Sequence, residues 1–255
     1  MLNRPPFWLA VVAAAAVGLS ACGGGSGKTV TGTSSTSTTL TTTSASPSST
    51  PTKIATVSPT TGPRKVAEIK SALLELNDLP SGYAIEPASA GGADGSVSSK
   101  DKACAPLVKL TNVKTAPGSM SSASVAFSGG QGGPFVDESV DSMGSAASVQ
   151  ALQASFKSAV AACQKLIITI PGQGTSTVQI AQVSAPKFGE HTFAARMTAT
   201  GGALRGLEIT QVVAGVKDVL LSITYLGAQP EDVDGATEAA VTKAVTVLGG
   251  AKTGA

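Results

Sequence analysis

The sequence is poor in charge and in rings. Charged residues make up 13% of its 255 residues and aromatics 4%, whereas a soluble domain usually carries about 25% charge. Its 18 Lys and Arg nearly balance 16 Asp and Glu. That excludes the basic excess of a nucleic-acid binder and the acidic excess of a solvating tail. A single histidine, His191, excludes metal sites and catalytic groupings built from several imidazoles. There is no G-x-S-x-G elbow, no H-E-x-x-H and no zinc spacing. No catalytic residue, no metal and no cofactor is therefore expected. Long hydrophobic runs are also scarce. The clearest, Phe7 to Leu19, spans about 13 residues, short of the roughly 20 that cross a bilayer.

What is present begins with that run. Arg4 precedes it, so it reads as the apolar core of a signal peptide over residues 1–21. Leu19-Ser20-Ala21-Cys22 resembles the bacterial lipoprotein box, in which the Cys thiol takes a diacylglyceryl group and becomes the mature N-terminus. Cys22 is thus the expected lipidation site, and the membrane, reached through that anchor, the expected first partner. Two acyl chains hold a protein stably where one does so marginally. The location implied is the outer face of the cytoplasmic membrane, in the cell envelope. Gly23-Gly24-Gly25-Ser26-Gly27-Lys28-Thr29 imitates a phosphate-binding loop, but the first Gly of that motif is replaced by Cys22. A spacer is the better reading.

Residues 22–63 form the lipidated Cys and its tether. From Gly23 to Pro63 there are 23 Ser or Thr in 41 residues, with Lys28 and Lys53 the only charges. Such composition cannot bury enough apolar surface to offset its ordering entropy. A flexible chain of that length reaches roughly 35 Å. Residues 64–255 hold 15 basic and 16 acidic side chains and read as one domain able to bury a substantial core.

Within that domain the patterns alternate. Val66, Ile69, Leu73, Leu74 and Leu76 are spaced for a short helix, ended by Asn77-Asp78-Leu79-Pro80-Ser81-Gly82. Tyr83–Pro87 reads as a short strand, residues 88–101 as a polar loop, and Ala103–Leu110 as a short helix. Ala123, Val125 and Phe127 alternate with Ser124, Ala126 and Ser128, and with Phe135–Met143 suggest a hairpin. The strongest helix runs from about Ser145 to Lys165, with Val149, Leu152, Phe156, Ala159 and Cys163 as its stripe. Four strands follow, around residues 178–180, 193–198, 207–212 and 219–226, and then a helix from Glu231 to Leu248. Consecutive strands with short turns imply antiparallel pairing. The expected class is α+β: an antiparallel sheet with helices packed on one face.

Cys104 and Cys163 remain once Cys22 is set aside. In an oxidising compartment an even pair reads as a disulfide, here tying the short helix to the end of the long one.

Ala72-Leu73-Leu74-Glu75-Leu76-Asn77-Asp78-Leu79-Pro80-Ser81-Gly82-Tyr83, Gly133-Pro134-Phe135-Val136-Asp137-Glu138-Ser139, the Cys-ended helix, and Gly189-Glu190-His191 before a strand with Arg196 together resemble actinobacterial lipoproteins. They are similar to the extracellular sensor domain of PknH-type serine/threonine kinases and to PsbP-like lipoproteins. The resemblance implies ligand or partner sensing in a cleft beside an antiparallel sheet. It implies no catalytic residues.

Other residues admit chemistry. Asp137, Glu138 and Asp141 form an acidic cluster suited to acid/base work or Ca²⁺, though a solvated face is the simpler expectation. Lys100, Lys102, Lys109 and Lys114 form a mild basic region, either solvated or facing anionic wall polymer or headgroups. Arg196 and Glu208 either pair across strands or line a cleft. The leading reading is a lipid-anchored, non-catalytic sensor-like domain for a small ligand, lipid or envelope protein. The alternatives are a lipid or glycolipid carrier with an Ala/Val-lined cavity, and a hydrolase using His191.

Overall fold

The computed structural model describes residues 63–86, 95–130 and 133–249. The signal peptide, Cys22 and the tether lie outside the described residues. Nine strands form one sheet in the order β1-β3-β4-β9-β8-β7-β6-β5-β2. They are β1 (Ala84–Ile85), β2 (Ser96–Ser98), β3 (Ser121–Ser128), β4 (Phe135–Ser142), β5 (Lys165–Ile170), β6 (Gly174–Val183), β7 (Glu190–Ala199), β8 (Glu208–Val216) and β9 (Val219–Leu226). Every neighbouring pair is antiparallel. The α-helices are α1 (Val66–Ser71), α2 (Ala105–Thr111), α3 (Ala146–Ala162) and α4 (Pro230–Gly249).

The α+β class, the antiparallel sheet and the β3–β4 hairpin match the expectation. The covering of the sheet does not. The helices were expected on one face, yet they divide between both. Val212, Ala214, Leu221 and Ile223 pack with Ile69, Leu74, Ala240 and Ala244 of the α1/α4 side. Val213, Leu220, Phe193 and Ala195 pack with Val149, Phe156 and Leu107 of the α2/α3 side. The reason is visible in the strands themselves. Val212-Val213-Ala214 and Val219-Leu220-Leu221 are apolar at successive positions, and a strand with two apolar faces must be covered twice.

Local chemistry sets the element ends. The Ser145 hydroxyl caps α3 by accepting from the Ser148 amide at 3.1 Å. Proline at the first position and Glu231 and Asp232 in the first turn suit the start of α4. The long helix stops at Ala162, not Lys165. Cys163 is already extended, and Lys165 begins β5, a strand absent from the sequence reading. The short β2 pairs with β5 inside the stretch read as a polar loop.

Arg64 fastens the start of the fold. Its guanidinium forks onto Asp218 at 2.5–3.1 Å in the β8–β9 turn. Its backbone N–H donates to Ser142 Oγ, and its carbonyl accepts from Ser121 Oγ.

Candidate functional site

The α3 face of the sheet is polar where the α4 face is apolar. Alternation brings Ser139 and Asp141 of β4, Ser222 of β9 and Gln211 of β8 to one side, together with Val213 and Leu220. Opposite Ser139 stands Ser222, and opposite Ser222 stands Val213. Over this floor lie Leu152, Gln153 and Phe156 of α3, together with the segment after α2 that includes Val113 and Ala116. They enclose a pocket of about 60 Å³, room for a small polar group and not for a whole lipid.

Gln211 is the notable member. It is 4% exposed, and its amide oxygen is buried without a hydrogen-bond partner among the described residues. Buried polar groups are normally paired, and an unpaired one costs about 1–3 kcal/mol. Asp141 is buried nearby. Among the described residues its carboxylate accepts two long bonds, from the Ala116 amide and the Ser139 hydroxyl, both at 3.4 Å. Gln153, above the same floor, also has a buried amide oxygen without a partner among the described residues, but its nitrogen is bonded. Its amide N–H groups donate to the carbonyls of Glu190 and His191 at 2.9 and 3.2 Å, so it serves the bulge of β7. Gly215 allows that approach: a Cβ there would meet the Glu190 carbonyl at 3.0 Å.

The acidic cluster is not solvated. Glu138 and Asp141 are each 1% exposed, because β4 is an interior strand between β3 and β9. The three acids also part by face. Glu138 points to the α4 side, where one oxygen accepts from the Leu74 amide at 2.6 Å. Its other oxygen has no partner among the described residues. Burial pushes its carboxyl up to about 8, so it is a neutral acid at neutral pH. Asp137, on the other face, is half-buried. Burial, and secondarily the nearby Glu86 carboxylate, pushes it up to about 7. Among the described residues no group of His, Cys, Asp and Glu has metal-holding geometry.

The remaining candidates separate. Cys104 and Cys163 are bonded. Lys100, Lys102 and Lys109 surround an open recess beside α2, and Lys114 lies in the wall of the Gln211 pocket. His191 is exposed at a positive-φ position of the β7 bulge. No serine or carboxylate partners its ring among the described residues. Arg196 and Glu208 make no ion pair. Arg196 instead lines a recess on the α4 side with Phe188, Thr210 and Asp234.

Gln211 escaped the sequence reading. It falls on an alternating strand, but a glutamine there completes no motif. The available signal was a polar residue opening the apolar run that continues through Val216.

No family model and no curated protein matches this chain. A solved structure does: at a TM-score of 0.55 and 15% identity, over 74% of this chain and 100% of that one, the fold is similar to the extracellular domain of PknH from Mycobacterium tuberculosis.

Proposed function

We propose that this chain is a lipoprotein anchored through Cys22, whose residues 64–255 form a non-catalytic, sensor-like domain binding a small ligand outside the cytoplasmic membrane. One observation carries the binding role. Gln211 presents an unpartnered amide at the floor of a pocket between sheet and helix, a polar group that the fold does not use. The likeness to the extracellular domain of PknH supports the same reading by analogy of fold. The lipoprotein box at Cys22 supports the anchor.

The carrier reading draws less support. The Ala and Val residues that a lipid cavity needs close α4 onto the sheet instead, with Ala240 and Ala244 at 0% exposure. The hydrolase reading draws none from the surroundings of His191.

The test is native mass spectrometry of the protein taken from its own membranes, compared with Gln211→Leu. A small molecule retained by the natural chain and lost from the variant is expected. Identical spectra would oppose the pocket. Membrane fractionation of Cys22→Ser checks the anchor separately, with release to the soluble fraction expected.

A further inference from the structure

The α4 side of the sheet holds a second unpartnered polar group, and this one is a permanent cation. Arg196 stands on β7 between Ala181 of β6 and Thr210 of β8. Its Nε is buried and makes no hydrogen bond among the described residues. No carboxylate lies within ion-pair distance of its guanidinium among them. Glu208, on the neighbouring strand, is exposed, and Asp234 sits at the rim of the same recess.

An arginine stem often covers apolar surface while its head reaches water. That account explains a buried methylene chain. It does not explain a buried, unbonded Nε, because this nitrogen is part of the charged head. Desolvating part of a guanidinium without an acceptor is costly. The usual remedy in a folded chain is a carboxylate, as Asp218 provides for Arg64.

The terminal nitrogens of the same guanidinium are not buried in this way and also bond nothing among the described residues, and the space in front of Arg196 is large enough for a ligand to meet them. The recess measures about 530 Å³, within the range of roughly 300–1,000 Å³ of small-molecule sites. Its walls are apolar: Val183, Ala185 and Phe188 on one side, Pro230 and Val233 of the first turn of α4 on the other. Four further polar residues line it: Ser184, Lys187, Thr210 and Asp234. Thr210 is 6% exposed and its hydroxyl makes no hydrogen bond among the described residues.

We propose that the Arg196 recess is a binding site for an oxyanion of the phosphate type, held by the Arg196 fork and the Thr210 hydroxyl against an apolar wall. A guanidinium matches the geometry of two phosphate oxygens at once. Lys187 adds attraction at the rim and Asp234 opposes it. The site lies on the face of the sheet away from Gln211 and stands independently of that pocket. The phosphate group belongs either to the head of an amphiphile, whose chain follows the apolar wall, or to a free ion.

The experiment is calorimetric titration of the full chain carrying Cys22→Ser with three probes: hexyl phosphate, inorganic phosphate and hexanol. Saturable binding of hexyl phosphate is expected, and Arg196→Gln weakens it by roughly tenfold or more. Arg196→Lys restores part of the loss, since it keeps the charge but not the fork. Asp234→Asn tightens binding by about two- to threefold, and Lys187→Gln weakens it by a similar factor. Lys157→Gln, on the exposed face of α3, leaves it unchanged. Inorganic phosphate binding as tightly as hexyl phosphate assigns the site to the free ion. A clear preference for hexyl phosphate assigns it to an amphiphile. The proposal is overturned if Arg196→Gln, with unchanged thermal unfolding, binds both phosphates as the natural chain does. It is equally overturned if hexanol binds as tightly as hexyl phosphate, or if neither phosphate binds. Asp234→Asn keeps the test decisive if Arg196→Gln misfolds, because an unchanged or weaker affinity in that rim variant also refutes the site.

Discussion

The two faces of the sheet are built by different rules. On the α4 face small residues let the helix come close. Ala236, Ala240 and Ala244 meet Val212, Ala214 and Leu221, and the polar groups among them are largely satisfied within the fold. Tyr225 and Thr237, for example, bond to each other at 2.8 Å. On the α3 face a disulfide helps hold the short 3-10 turn at Lys102–Cys104 and α2 against α3, and the floor keeps serines, Asp141 and Gln211. One face closes by packing. The other is clamped and leaves polar groups that packing does not require. The difference shows in the cavities: the clamped face keeps a small pocket beneath α3 at Gln211, and the packed face opens only where α4 begins, at the Arg196 recess. Glu138 and Arg196 are the two places where the α4 face departs from its own rule.

Four experiments bear on this contrast. The largest effect is expected from pH, through Glu138. Its folded carboxyl titrates near 8, above its ordinary 4.5. Below about pH 4.5 both folded and unfolded chains hold the proton, and the stability tied to it is full. As pH rises the unfolded chain ionises first, so stability drains away until about pH 8. Asp137, raised to about 7, acts in the same direction with a smaller share because it is partly exposed. Denaturant titrations from pH 5 to 9 should lose several kcal/mol, at roughly 1.4 kcal/mol per unit of pKa shift. Glu138→Gln should flatten most of that slope. An equally steep slope in the variant would move the origin elsewhere.

Next comes the clamp. The disulfide closes a 59-residue separation, worth roughly 4 kcal/mol in the chain-entropy model. Reduction should raise amide exchange in α2 and the adjoining turn first, with α4 still protected. Uniform loosening of both faces would erase the contrast. Third, Ala240→Leu forces a larger side chain into the close helix–sheet contact and should cost about 1–3 kcal/mol, read from chemical unfolding. Last and smallest, Gln211→Leu should change stability by less than about 1 kcal/mol, in either direction. The lost group is one the fold leaves unbonded. A large loss would mean that Gln211 is structural.

Much of this fold is readable along the chain, and the exceptions have physical causes. The hairpin of β3 and β4, the long helix and the last strands follow from local alternation and helical spacing. β5 was missed because neither glycine nor proline separates it from α3. Its signal was Ile167-Ile168-Thr169-Ile170, four β-branched residues in a row, which favour a strand over a helix. The burial of Glu138 was not legible. It depends on β9 pairing with β4 across some eighty residues of sequence, and no local pattern reports a partner that distant. The pocket is similarly remote: Gln211, Ser222 and Asp141 become neighbours only after β8, β9 and β4 align. Arg196 was legible as a choice between an ion pair and a cleft, and its surroundings favour the cleft.

The Arg64 fork has a mechanical consequence. It grips the sheet at one rim, where β3 begins, β4 ends and β8 turns into β9. A tug arriving from residues before 64 therefore loads that rim of the sheet before it reaches α1. The fold takes up tension through its strand ends, and the short first helix is shielded from being peeled away.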